Sequence, residues 1–264
     1  MPPLIGVANS VSANFGYDPV DAIHYASQSG FELIQVYLNA ALLMEEKSRD
    51  RLRQALTTSE FKNIYFHAEG FFNNTALGNS YSENLFSFVK DWDSPKIIYH
   101  FDENAALEDC LKLVRQFSEG GMQLYLENYF QSPGMEAAEK NYRKFMALFS
   151  LANNQDFQLH PVLDAPRFFH EKLNMDATIA LQWVYQFLNY FTNSRTPILL
   201  HLIDATHNHQ QISSFAALGA GYLPYEELTG FIKKTGSLLE GIILEYEDKI
   251  NPLKSREYLL KKLD

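Results

Sequence analysis

Cysteine is almost absent from this 264-residue chain, which contains one residue of that type, Cys110. A disulfide within the chain and a zinc site built from several cysteines are therefore both excluded. No window approaches the run of about 18 apolar residues that a transmembrane helix needs, and residues 1–10 lack a basic segment ahead of an apolar run. We therefore expect no membrane span and no signal peptide, and the scarcity of cysteine predicts a reducing, cytoplasmic compartment.

Positive charge is also scarce. Lys and Arg number 22 against 32 Asp and Glu, so the formal net charge is −10 at pH 7. An acidic surface repels the phosphate backbone at long range, which disfavours a nucleic-acid partner. It does not exclude one, because a local basic patch or bound metal ions would suffice. With 46% hydrophobic and 20% charged residues, the composition is that of a folded globular protein.

Short apolar segments alternate along the chain with longer segments of helical periodicity. The predicted strands are residues 4–9, 33–38, 63–68, 96–101, 123–128, 158–163, 198–203 and 241–246. Most are apolar almost throughout, as expected for parallel strands buried on both faces. One of them, the sixth, contains Pro161, which predicts a bulge or a late strand start.

The number of these units predicts the fold. Eight strand–helix units in 264 residues give about 33 residues each, which is typical of a (β/α)8 barrel. A doubly wound open sheet is the alternative, although it usually has fewer strands. We therefore predict an α/β fold, a (β/α)8 TIM barrel, formed by one domain over residues 1–264.

Histidines and carboxylates recur at the ends of six consecutive predicted strands. These residues are His67, His100, Glu127, Asp164, His201 and Glu245. The carboxyl ends of barrel strands form the face where catalytic groups converge. Charged side chains on apolar strands are costly to bury unless they are paired or bind a metal. Histidine and carboxylate ligands suit Zn²⁺, Mn²⁺ or Mg²⁺, so we predict a divalent-metal site. The alternative is a set of helix caps and satisfied core histidines.

The order of these residues resembles that of the xylose-isomerase-like barrels, a superfamily that includes endonuclease IV and sugar phosphate isomerases and epimerases. The resemblance covers residues 4–247 and includes the glycine-containing segment 218–224. Four positions carry most of it: Glu127 in Leu-Glu-Asn, Asp164 after an apolar run, His201 in His-Leu-Ile-Asp, and Glu245 in Ile-Leu-Glu. The resemblance implies that these four bind one divalent ion. It also implies that His67 and His100 hold a second ion in the endonuclease branch, with Glu127 bridging.

The chain departs from the family pattern at two places. In the endonucleases and many epimerases a histidine follows the strand-six aspartate by three residues, and here that residue is Arg167. Arginine stays protonated and cannot ligate a metal, but it can bind a substrate phosphate or carboxylate through two N–H groups. The alternative is an ion pair with a loop carboxylate. His207 and His209 stand nearest to the family's Asp-x-His pair and, with Arg167 and Asn128, form the predicted substrate-binding set.

Two mechanisms fit one such site. In the first, a metal-dependent sugar or sugar phosphate isomerase or epimerase, Glu127 and Glu245 act as catalytic residues that remove and return a proton next to a carbonyl, as the resemblance implies. In the second, an endonuclease IV-like phosphodiesterase cleaves abasic DNA with two or more metal ions. A barrel that binds a metal or ligand without catalysis is a third reading, and lyase chemistry on the same metal a fourth, because fold does not imply function.

Overall fold

A computed structural model describes residues 3–73, 76–208 and 211–263 of the chain, with the side chains of residues 207–213 left out. The strands in these parts are β1 (Ile5–Ala8), β2 (Leu33–Leu38), β3 (Asn63–Phe72), β4 (Lys96–Phe101), β5 (Gln123–Glu127), β6 (Leu159–Asp164), β7 (Ile198–Leu202), β8 (Asp204–Asn208), β9 (Gln211–Ala216) and β10 (Leu239–Leu244). The helices are α1 (Pro19–Gln28), α2 (Ala40–Met44), α3 (Glu46–Thr57), α4 (Ser80–Val89), α5 (Leu107–Glu119), α6 (Met135–Asn153), α7 (Ala177–Asn193), α8 (Tyr225–Thr235) and α9 (Asn251–Leu263). None of these described helices is both long and apolar enough to cross a membrane.

Eight strands close into a barrel in the order β1-β10-β7-β6-β5-β4-β3-β2. Every pair is parallel, and β1 closes the ring by pairing with β10 on one side and β2 on the other. Helices connect successive strands, so the predicted (β/α)8 TIM barrel is confirmed. Parallel strands place all their carboxyl ends at one face, which is where this fold assembles its sites.

Local signals account for where the first helix begins and ends. Asp18 is the N-cap of α1 and accepts a hydrogen bond from the Val20 amide at 3.0 Å, while Pro19 occupies the first turn. Proline costs nothing at that position because its missing N–H would have no partner inside the helix. Gly30, just past the end of the helix, has a φ of +69°, a left-handed conformation that glycine adopts without strain.

The barrel is packed in two layers. Its interior is filled by one side chain from each of the eight barrel strands: Ala8, Leu33, Tyr65, Ile98, Tyr125, Val162, Leu199 and Ile243. A larger apolar cluster lies between the outer face of the strands and the helices. Because both faces of the strands are buried, their sequences read as continuous apolar runs. Most polar side chains on these strands therefore lie towards the two ends of the barrel.

The structure tests one sequence prediction about the strands and contains one element that was not predicted. The ladder between β5 and β6 runs through Pro161 in continuous register, with Leu126 opposite Pro161, so the predicted bulge is wrong, and the alternative, a late strand start, is found only on the side of β7. Pairing between β6 and β7 begins only at Val162. The N–H group that Pro161 lacks is therefore not needed in the β6–β7 ladder. An antiparallel hairpin of β8 and β9 was not predicted and stands beside the carboxyl end of β7.

Candidate metal centre and active site

The six predicted residues lie at the carboxyl end of the barrel. His67 stands in the middle of the long strand β3, His100 in the last part of β4, and His201 in β7. Glu127 and Asp164 are the final residues of β5 and β6, and Glu245 directly follows β10. Their metal-binding and catalytic roles remain predictions.

Glu127 is the centre of the cluster. Its carboxylate is 1% exposed and lies against the rings of three histidines. Oε2 is 3.2 Å from both His67 Nε2 and His201 Nδ1, and Oε1 is 3.6 Å from His100 Nε2. The side-chain donor atoms of His67, His100 and Glu127 lie within 4.8 Å of one another, close enough to hold a metal ion.

Glu245 approaches the same centre from the end of β10, the strand that pairs with β7. Its Oε1 is 3.2 Å from His201 Nδ1, so this one nitrogen faces a carboxylate oxygen of Glu245 and one of Glu127. Gln35 on β2 donates from Nε2 to Glu245 Oε1 at 2.8 Å and is 3% exposed. Sequence reasoning missed Gln35, although a buried amide within the apolar strand β2 is the signal that would have found it.

Asp164 is drawn towards Arg167 rather than towards the histidines. Arg167 Nε donates to Asp164 Oδ2 at 2.8 Å, and its backbone N–H faces Oδ1 at 3.4 Å. Asn128 is fully buried, and its side chain donates to the Asp164 carbonyl at 3.0 Å and accepts from the Asp164 amide at 2.8 Å. Asn128 therefore positions the end of β6, and its predicted contact with substrate stays a prediction.

The electrostatics of the cluster follow from burial and mutual contact. Burial alone would raise the pKa of Glu127, but the neighbouring His100 and His201 hold that pKa well below its usual range. Burial alone would lower the pKa of His201, but Glu245 and Glu127 raise it to about 9. Burial lowers the pKa of His100 to about 3, so this imidazole stays neutral and free to act as a ligand.

The donor atoms fit a divalent ion. Among the described side chains, Glu127 Oε1 and both ring nitrogens of His201 are buried without a well-oriented hydrogen-bond partner. Leaving such atoms unsatisfied costs free energy, and a cation between them would satisfy several at once. Imidazole nitrogens and a carboxylate are the ligands that Zn²⁺ and Mn²⁺ accept.

The cluster forms one wall of a cavity of about 610 Å³, which His67, His100, Glu127, Arg167 and Glu245 line. This volume is within the range of small-molecule sites, about 300–1,000 Å³. Arg167 and Glu245 also line a second cavity of about 380 Å³ on the side of the glycine-containing segment. The predicted roles of the His207 side chain and of His209 lie outside the described residues.

Asp204, at the end of the His-Leu-Ile-Asp motif, has a different task. It is fully buried, and its carboxylate accepts the backbone N–H groups of Ala205, Gly219, Gly221 and Leu223 at 2.9–3.3 Å. A Cβ at position 221 would stand 2.1 Å from Asp204 Oδ1, so only glycine allows this approach. Asp204 therefore fixes the glycine-containing segment over the second cavity.

Comparison with solved structures identifies the type of barrel. A xylose isomerase-like TIM barrel fused to a 4-hydroxyphenylpyruvate dioxygenase matches with a TM-score of 0.62 and 14% identity, over 100% of this chain and 43% of that one. The fold is that of the xylose isomerase-like TIM barrels. No protein-family model matches the sequence, and no curated protein matches it significantly.

Two further solved structures that match are named for different activities. A D-allulose 3-epimerase from Methylomonas sp. matches with a TM-score of 0.59 and 12% identity, over 100% of this chain and 99% of that one. An AP endonuclease of family 2 from Brucella melitensis also matches with a TM-score of 0.59 and 12% identity, over 100% of both chains. At these identities the likeness concerns the fold, so the reaction has to be argued from the site.

Proposed function

We propose that this protein is a divalent-metal-dependent isomerase or epimerase of a small sugar or sugar phosphate. One observation carries the proposal: Glu127 and Glu245 both line the larger cavity, and His201 Nδ1 lies 3.2 Å from an oxygen of each. Two carboxylates that line the same cavity suit a reaction in which one removes a proton from a carbon and the other returns a proton to it. The −10 net charge also favours a small substrate over a long polyanion.

In this mechanism the two glutamates divide the proton transfer. One carboxylate removes the proton from the carbon next to a carbonyl, and the other delivers a proton to complete the exchange; positioned bases of this kind contribute about 10²–10⁴-fold each. His67, His100 and Glu127 would hold a divalent ion, with His201 and Glu245 as further predicted ligands, whereas the predicted ligand Asp164 is paired with Arg167. Such an ion supplies Lewis-acid stabilisation of the negative charge that develops on the carbonyl oxygen.

Arg167 is proposed to bind the anionic end of the substrate. Its guanidinium carbon lies 4.0 Å from the centre of the Tyr129 ring, and Nε is committed to Asp164. The side chain keeps 34% of its surface exposed and lines both cavities. Since a guanidinium has five N–H donors, those not used by Asp164 can bind a phosphate or carboxylate.

A second candidate is phosphodiester hydrolysis on abasic DNA. The specific observation in its favour is that the two oxygens of Glu127 face different histidines, as a carboxylate bridging two ions would. Two ions about 3.5–4 Å apart are a usual arrangement for phosphate chemistry. The likeness to an AP endonuclease of family 2 supports this candidate to the same extent as the likeness to the epimerase supports the first.

A paired assay separates the two candidates. The metal-loaded protein is incubated in deuterated water with a panel of ketoses and ketose phosphates, and with a duplex that contains one abasic site. We expect metal-dependent exchange of the C–H next to the carbonyl, which is visible by NMR even where equilibrium hides net conversion. Incision of the duplex without exchange on any sugar would promote the second candidate. Neither activity would favour a barrel that binds its ligand without catalysis.

A further inference from the structure

The Arg167 guanidinium is enclosed by groups of the proposed metal centre. It pairs with Asp164 at 2.8 Å, lies 3.9 Å from Glu127 Oε1, and stacks on the face of Tyr129. A planar cation held by two carboxylates and an aromatic face has little freedom to move away. A permanent positive charge is therefore built into the wall of the centre.

The formal charges of the centre then balance for one divalent ion. Counted with the histidines deprotonated, as metal ligation requires, Glu127, Asp164 and Glu245 contribute −3 and Arg167 contributes +1, so the sum is −2. One divalent cation neutralises this set. A second would leave an excess of positive charge in a buried site, where unbalanced charge is costly.

The contacts of Asp164 agree with a centre that holds one divalent ion. Both of its oxygens face Arg167, one towards Nε and one towards the backbone N–H. The donor atoms that lie within 4.8 Å of one another belong to His67, His100 and Glu127. Asp164 is thus paired with the guanidinium of Arg167. The three clustered donors of His67, His100 and Glu127, here called the compact donor set, lie beside this pair.

We propose that Arg167 acts as a built-in cation that withdraws Asp164 from the ligand set and limits the centre to one divalent ion. The proposal rests on the proposed metal-dependent function and deepens it. A centre with one ion suits proton transfer next to a carbonyl, whereas hydrolysis by two ions would require the guanidinium to be displaced.

Mn²⁺ is the probe, and its number per chain is measured by elemental analysis and by titration calorimetry on the intact protein. We expect one Mn²⁺ in the natural chain and an electron paramagnetic resonance spectrum of isolated ions. We expect two in Arg167→Met, with a magnetically coupled spectrum, because Asp164 then becomes available. The second ion should disappear again in the double variant Arg167→Met/Asp164→Asn.

Three further variants serve as controls. Arg167→Lys keeps the positive charge and should stay at one ion. Arg143→Met removes an exposed arginine that pairs with Glu139 on the surface of α6, and should also stay at one ion. Asp164→Asn in the natural background should keep its ion and lose less affinity than His100→Ala, because only the second removes a member of the compact donor set.

Each outcome decides the proposal. Two Mn²⁺ in the natural chain, none in it, or one in a folded Arg167→Met would overturn it. So would an Asp164→Asn variant that loses its ion as completely as His100→Ala, and this test stands even where Arg167→Met does not fold. If the stoichiometries follow expectation but no sugar undergoes C–H exchange, the built-in cation stands and the proposed function fails.

Discussion

Replacing Asp204 by Asn should destabilise the protein strongly although no catalytic group is touched. The Asp204 carboxylate is fully buried and accepts four backbone N–H groups, two on each oxygen. Oδ1 accepts from Ala205 and Leu223, and Oδ2 accepts from Gly219 and Gly221. An amide keeps one oxygen and turns an NH₂ group towards the other two donors.

The expected loss follows from the number of bonds. Asn retains two of the four hydrogen bonds and sets donor against donor at the other two. Hydrogen bonds to a charged group are worth about 1.5–3 kcal/mol each, and water can replace part of that loss at a loop. We therefore expect the free energy of unfolding to fall by about 2–4 kcal/mol. Asp204→Ala, which removes all four bonds, should cost more.

Urea unfolding followed by circular dichroism measures this loss as a lower midpoint at unchanged slope. The matched control is Asp50→Asn, an exposed residue paired with Arg53 on α3, which should stay within about 0.5 kcal/mol of the natural chain. If Asp204→Asn unfolds at the same urea concentration as this control, the four bonds do not hold the glycine-containing segment and the reasoning is wrong.

Three other predictions concern the site and the opposite end of the barrel. Glu127→Gln and Glu245→Gln should each lower turnover by about 10²–10⁴-fold, because an amide cannot act as a base, while circular dichroism stays unchanged; retained turnover in both would contradict a catalytic role. His100→Ala should lose bound Mn²⁺, measured by elemental analysis, since it removes one of the three clustered donors; full metal content would place the ion elsewhere. Burial alone would raise the pKa of Glu240, but Lys96 and the hydroxyl groups of Tyr65 and Tyr125 lower it. The ionised Glu240 carboxylate therefore stabilises the fold fully above the unfolded pKa of about 4.3, and this stabilisation is lost as pH falls through the lower pKa of the folded state. Glu240→Gln should therefore flatten the loss of stability below that pH in urea unfolding, and an unchanged pH profile would refute this account.

The strands and their polar ends could be predicted from the sequence because both signals are local. A parallel strand buried on two faces reads as a continuous apolar run, whatever its neighbours are. A histidine or carboxylate at the end of such a run is visible without a structure, and the shared direction of the strands places all these ends at one face. The barrel, and a common face for Glu127, His201 and Glu245, follow from those facts alone.

The partners of each polar side chain were decided only by the tertiary structure. Sequence spacing placed Arg167 three residues after Asp164 but left open whether it would face a substrate or a carboxylate. The closed barrel brings Asp164, Glu127 and Tyr129 around the guanidinium, and Asn128 to the backbone of Asp164. Strength of a hydrogen bond or ion pair depends on distances of a few tenths of an ångström. Such distances arise when strands far apart in sequence close into one ring, and no local pattern contains them.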